Sequence, residues 1–221
     1  MADVTFRVVR AEAASFSASP QIVLHVEVRA GSPDDRVQSI LLRSATRIEA
    51  GARTHSLEER ARLEELFGDE GVWARSSRSL LWGQVAVVVP GFQGTTTIEV
   101  HLPCSYDLGA AAAKYLHGLT EGEVPITVQF SGTLFRETSE GLTVSQIPWD
   151  REAPFRVPLA VWQRVLDEHF PNSAVVSVRR DLFERVDRYR LEHGLLRWEE
   201  AVNRLLDIAE PQAVELERSA E

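Results

Sequence analysis

The sequence predicts an α+β fold: an antiparallel β-rich, sandwich-like body over residues 1–150 with two inserted helices, then a three-helix C-terminal lobe over 151–210. Three observations carry this. Residues 21–29 alternate, with Ile22, Leu24, Val26 and Val28 on one face and Val23, His25, Glu27 and Arg29 on the other, the period of a half-buried strand. Ser56 and Glu59 have the spacing of a capping box, which opens a helix. Leu159, Trp162, Leu166 and Phe170 recur at the spacing of one helical face.

In chain order, residues 4–9 and 37–48 are β-rich like 21–29, and turn residues such as those at 31–35 separate them. The capped helix should run to about Phe67, where Gly68 ends it. Residues 80–89 form an apolar run without alternation, which reads as a strand buried on both faces. The Pro90-Gly91-Phe92-Gln93-Gly94 loop should turn it into a returning hairpin strand over 95–102. Asp107 is placed to cap a helix over 108–117, and Gly118 suits a left-handed exit. Residues 124–134 and 142–147 read as a strand pair turning at Gly141. The character then changes at Trp149. Pro158 suits the first turn of a helix. Helices over 181–193, closed by Gly194, and 197–209, stopped before Pro211, complete the lobe, and an acidic, flexible tail occupies 211–221.

Composition narrows the function. The 221 residues are 44% hydrophobic and 26% charged, within the ordinary globular range, and no apolar stretch is long enough to cross a bilayer. The N-terminus shows no basic region followed by an apolar one, so the expected location is the cytoplasm. A single cysteine, Cys104, rules out an internal disulfide and a cysteine-built metal site, and fits a reducing compartment. The net charge of -9 argues against a general grip on nucleic acid.

Candidate chemistry is sparse. His101 and Cys104 lie three residues apart, but a thiol nucleophile needs a positioned base and a metal needs three or four ligands, and neither is visible beside them. The six histidines are scattered without ligand spacing. The acidic pairs Glu58-Glu59 and Glu64-Glu65 read as the solvated side of a helix. No nucleophile elbow, P-loop or dinucleotide fingerprint occurs, so the expectation is a non-enzyme without metal or cofactor. A Cys104 to Asp107 catalytic neighbourhood is the enzyme alternative, and it requires an accessible Cys104. Trp149 and Asp150, in Ile147-Pro148-Trp149-Asp150, and Phe92, in the 90–94 loop, are the candidate partner contacts.

The tail carries the competing reading. Residues 174–178, followed by helix, glycine turn and helix, resemble a ribbon-helix-helix DNA-binding unit through 174–209. Charge tells against it, because seven arginines are balanced by seven acids across that stretch. The plainer alternative packs Leu182, Val186 and Tyr189 against Ala201, Val202 and Leu205.

The chain also resembles, over nearly its whole length, an uncharacterised bacterial family whose genes are often found in nickel-iron hydrogenase gene clusters. The residues that carry the likeness are Leu80-Leu81-Trp82, Val89-Pro90-Gly91-Phe92, Pro103-Cys104-Ser105-Tyr106-Asp107, Ala111-Ala112-Ala113-Lys114-Tyr115, Phe130-Ser131-Gly132-Thr133 and Ile147-Pro148-Trp149-Asp150. The resemblance implies a setting and no catalytic residue. The expected function is a non-catalytic, protein-binding accessory, assembly or structural factor, with hydrogenase subunits or maturation proteins as partners.

Overall fold

The computed structural model of the protein describes residues 4–68, 79–104, 107, 110–138, 141–173 and 176–218. It has an α+β fold in which every strand pairing is antiparallel. The alternating N-terminal segments become β1 (Val4–Ala13), β2 (Gln21–Ala30) and β3 (Arg36–Ile48). Ile22, Leu24, Val26 and Val28 are fully buried, as their period requires. After them come β4 (Leu80–Val89), the two-residue β5 (Phe92–Gln93), β6 (Thr95–Pro103), β7 (Glu123–Thr138) and β8 (Gly141–Pro158).

Two sheets result, ordered β1-β2-β6 and β4-β3-β7-β8, with β5 added on β3. Their inward faces share one core. Phe6 of β1 stacks on Phe130 of β7, with centroids 4.3 Å apart. β4 and β6 therefore belong to different sheets, and the expected hairpin around 90–94 does not form. Gly91 explains how the chain crosses: a Cβ there would lie 3.0 Å from the Gln38 carbonyl oxygen, so the backbone passes tight against β3 before entering the other sheet. β4 is also not buried on both faces. As an edge strand it leaves Leu81 and Val88 about half exposed, and only Val89 is fully covered.

Helix α1 (Leu57–Phe67) begins with the capping box its sequence encodes. The Ser56 side chain accepts from Glu59 N, and Glu59 returns a bond from Ser56 N. Gly68 leaves it at φ 81. Helix α2 (Ala111–Gly118) starts at Ala110 rather than at Asp107. Gly118 is its last residue and takes no left-handed exit; it is small because a Cβ would sit 2.5 Å from Leu63 Cδ2 of α1. Helix–helix contact, not chain reversal, sets that glycine.

The body does not end near residue 150. β8 runs on to Pro158, pairing with β7 down to Glu123, and α3 (Leu159–His169) buries Leu159, Trp162, Val165 and Leu166 in the same core. His169 Nε2 lies 3.1 Å from the Ser17 carbonyl, which ties α3 to the β1–β2 connection. The chain divides instead into Met1–Val175 and Val176–Glu221. The expected three-helix lobe is thus a pair: α3 belongs to the body because its apolar face completes that core.

The second unit contains α4 (Arg180–Glu192) and α5 (Trp198–Arg218). Gly194 has φ 64, and its Schellman bonds run from Leu195 N to Arg190 O and from Gly194 N to Leu191 O. The helix expected to stop before Pro211 continues to Arg218, so most of the predicted flexible tail is helical. Of the β-like stretch at 174–178, Ala174 and Val175 lie outside the described residues, and 176–178 pair with no strand among them.

Candidate functional site

The candidate site lies on the outward face of the larger sheet. Ladder pairing aligns Arg43 with Ala86 and Ser131, and Ala45 with Gln84 and Gln129. In each row a small alanine sits among longer polar neighbours, so the sheet surface is hollowed. A cleft of about 650 Å³ occupies the hollow, and Trp149 walls it.

Trp149 reaches that position through an irregularity in β8. Phe130 pairs with Arg151 and Gly132 with Ile147, so Ser131 alone faces Pro148, Trp149 and Asp150. Pro148 has no N–H to give a ladder, which makes this the natural place for pairing to break. On the other strand Gly132 takes φ 148, a value L side chains rarely adopt. The bulge turns the indole out of the sheet, 86% exposed. Of the remaining candidate contacts, Asp150 is exposed on the same bulge. Phe92 is not part of this site. It is half-buried against the core, and its partner Val37 pairs with Arg136, five residues along β7 from Ser131 or roughly 17 Å.

Among the described residues lining the cleft Arg43 alone is ionisable, while Gln84, Gln129 and Ser131 offer both donors and acceptors. Beyond Arg43 the same face adds exposed apolar residues among Ser39, Thr133 and Gln146. Leu41 (50% exposed) pairs with Val88 (62%), and the next row joins Phe135 to Val144 (59%). An aromatic wall, an amide-rich floor and two exposed apolar pairs thus share one sheet face. Residues 80–89 carry no alternation, so the outward placement of Gln84 and Ala86 was not legible in the sequence; the cleft itself depends on three strands lying side by side, which no local pattern encodes.

A second polar cluster is structural. Glu59, expected on the solvated side of α1, is only 2% exposed. Arg53 donates to its Oε1 at 2.6 Å and to the carbonyls of Glu121 and Glu123 at 2.7 and 2.8 Å. Thr120 N donates to the same oxygen at 3.0 Å. Burial would raise the Glu59 pKa, but hydrogen bonds from the Thr120 and Ser56 amides, with Arg53, outweigh it and hold the carboxyl below its ordinary value. Glu59 departs from the solvated reading because its helix start packs beneath the α2–β7 connection.

Cys104 is buried, and desolvation pushes its thiol up to about 12. A thiol held that way is no nucleophile at neutral pH, so the Cys104 to Asp107 alternative lacks the accessible sulfur it requires. Ser105 and Tyr106 lie outside the described residues. A maleimide at pH 8 should leave the native thiol unmodified and label one equivalent once denaturant unfolds the body; fast native labelling would contradict this burial. His101 stays on the exposed strand face, near Gln21 and Glu99. Among the described residues no group of three or more His, Cys, Asp or Glu could hold a metal, and no helix is long and apolar enough to cross a membrane.

Fold and surface together define an α+β protein with an open, aromatic-walled sheet face and a separate helical hairpin. The chain belongs to a family of unknown function (DUF6084), matched over residues 1–214. No curated protein matches it. Among solved structures, two of a β-glucosidase from Kluyveromyces marxianus, one of them in complex with glucose, are similar at 11% and 10% identity, each with a TM-score of 0.22. The alignment spans 71% of this chain and 15% of the β-glucosidase chain, a likeness too slight to carry any argument.

Proposed function

We propose that the protein is a non-catalytic, protein-binding accessory factor of the cytoplasm, which holds an extended segment of a partner on the outward face of its larger sheet. The observation that carries this is Trp149, a large aromatic ring 86% exposed beside a cleft, on a sheet face that also exposes Leu41, Val88 and Val144. Exposed apolar patches mark docking sites, and tryptophan is over-represented among the residues that dominate binding energy at interfaces. Gln84 and Gln129 can bond the peptide groups of an extended chain, and Arg43 can pair with a carboxylate. The resemblance to a family encoded beside nickel-iron hydrogenases supports hydrogenase subunits or maturation proteins as the partner class.

Affinity capture from the native host under anaerobic conditions, followed by mass spectrometry, tests this. Wild-type protein should retain a defined partner, and Trp149→Ala should weaken that complex by about 30-fold, the ~2 kcal/mol typical of a central aromatic contact. The variant's melting temperature should not move, because the ring covers no core. Capture that is equal for both proteins would overturn the reading.

A further inference from the structure

The helical hairpin has too little core for a folded unit. Its helices meet at the stacked rings of Phe183 and Trp198, with centroids 4.7 Å apart at 17°, and at Ala201, the one buried residue among its described side chains. No residue of α4 is buried. Yet Leu182, Phe183, Val202, Leu205, Leu206 and Ile208 are all 37–52% exposed. The expected packing of Leu182 against Val202 and Leu205 therefore covers only a fraction of each. Val202, Leu205 and Ile208 follow Trp198 and the buried Ala201 at the spacing of one face of α5, so the exposed stripe is the part of that face left uncovered by α4.

The rest of the unit is well defined. Beyond the Schellman turn, Arg190 donates to the carbonyls of Leu195 and Leu196, and Glu200 accepts from Leu196 N at 3.0 Å at the start of α5. The turn and the start of α5 are satisfied; a cover for the stripe is what is missing. Units of about 40 residues are stabilised by disulfides, metals or association. The hairpin has no cysteine and a single histidine, His193, and no metal-holding cluster occurs among the described residues, which leaves association.

Charge permits self-association. The stretch that carries the stripe, 174–209, has seven arginines and seven acids, and the acidic excess of the unit, Glu210, Glu215, Glu217 and Glu221 against Arg218, lies beyond it. The surface available also suffices: the six side chains offer on the order of 500 Å² per copy, or ~1,000 Å² for a pair, the lower bound of a specific interface. Val176 and Val178, exposed just before α4, extend it. We infer that a second copy of this chain covers the stripe, the two hairpins joining about a two-fold axis as a four-helix bundle. This surface is distinct from the Trp149 cleft.

Sedimentation equilibrium of the full chain tests the inference. The expected mass is twice the 24.7 kDa of one chain. Leu205→Glu and Ile208→Glu should each raise the dimer dissociation constant by about 100-fold or more, because each would bury an unpaired carboxylate. The β-sheet circular dichroism and the melting of the body should be retained in both. Three results would overturn the inference. One is a wild-type monomer with slowly exchanging hairpin amides, which would mean the stripe is covered within its own chain. Another is a wild-type monomer whose hairpin amides exchange fast, which would assign the stripe to a different protein. The last is a dimer insensitive to both substitutions, which would place the contact elsewhere.

Discussion

Gly132→Ala is expected to abolish folding of the body, or to destabilise it by more than about 4 kcal/mol, the range reserved for forced backbone displacement. Gly132 has φ 148, and a Cβ there would overlap the Leu41 carbonyl oxygen, with Leu41 C at 3.1 Å and Leu42 Cα at 3.2 Å. The obstructing atoms are backbone, so no rotamer change can relieve them. β3 would have to move away from β7 at the centre of the larger sheet. Soluble yield and the guanidinium midpoint are the measurements. Ser131→Ala, next to it on the exposed face, should stay within ~0.5 kcal/mol of wild type. If Gly132→Ala also fell within that margin, the strand spacing described here would be wrong.

Glu59→Ala is expected to cost about 3–5 kcal/mol, because it leaves the Arg53 guanidinium, only 11% exposed, without its counter-charge. For a chain of this size that corresponds to a fall in Tm of roughly 10 °C. The same carboxyl predicts a direction with pH. Its folded pKa lies below the ordinary value of 4.5, so its contribution is fully present above pH 4.5 and is lost as pH falls through the folded value. His55 acts in the same sense at higher pH. Burial lowers its pKa below 6.5, against the opposing pull of Glu59, and its Nε2 lies 3.0 Å from the Tyr115 hydroxyl. Stability should therefore decline as pH falls below 6.5 and decline again below 4.5. In Glu59→Ala the second decline should shrink; an unchanged acid limb would show that other carboxyls govern it.

Much of the local structure was legible in the residues. The alternation of 21–29 identified the buried face of β2, Ser56 and Glu59 located the start of α1, and Gly194 located the turn between α4 and α5. Each depends on neighbours within a few positions, where period and capping chemistry act directly. Errors arose where a local pattern had two tertiary solutions. An apolar run such as 80–89 suits a doubly buried strand or an edge strand facing a partner, and the length of 90–94 suits a hairpin or a crossing between sheets. The break assigned to Trp149 was a bulge within one long strand, since a proline that cannot donate to a ladder resembles a strand end.

The candidate site divides in the same way. By itself the sequence determined the α+β class, the periodicity and caps of most elements, and the prominence of Trp149 within Ile147-Pro148-Trp149-Asp150. Only the tertiary structure decided which strands lie side by side, and therefore that Arg43, Gln84 and Gln129 share a cleft with that ring, that Glu59 is buried, and that α3 belongs to the body. The reason is range: hydrogen-bond caps and side-chain periods are set by residues within a turn or two, whereas sheet order and burial are set by contacts between segments tens of residues apart, whose competing pairings differ little in local pattern.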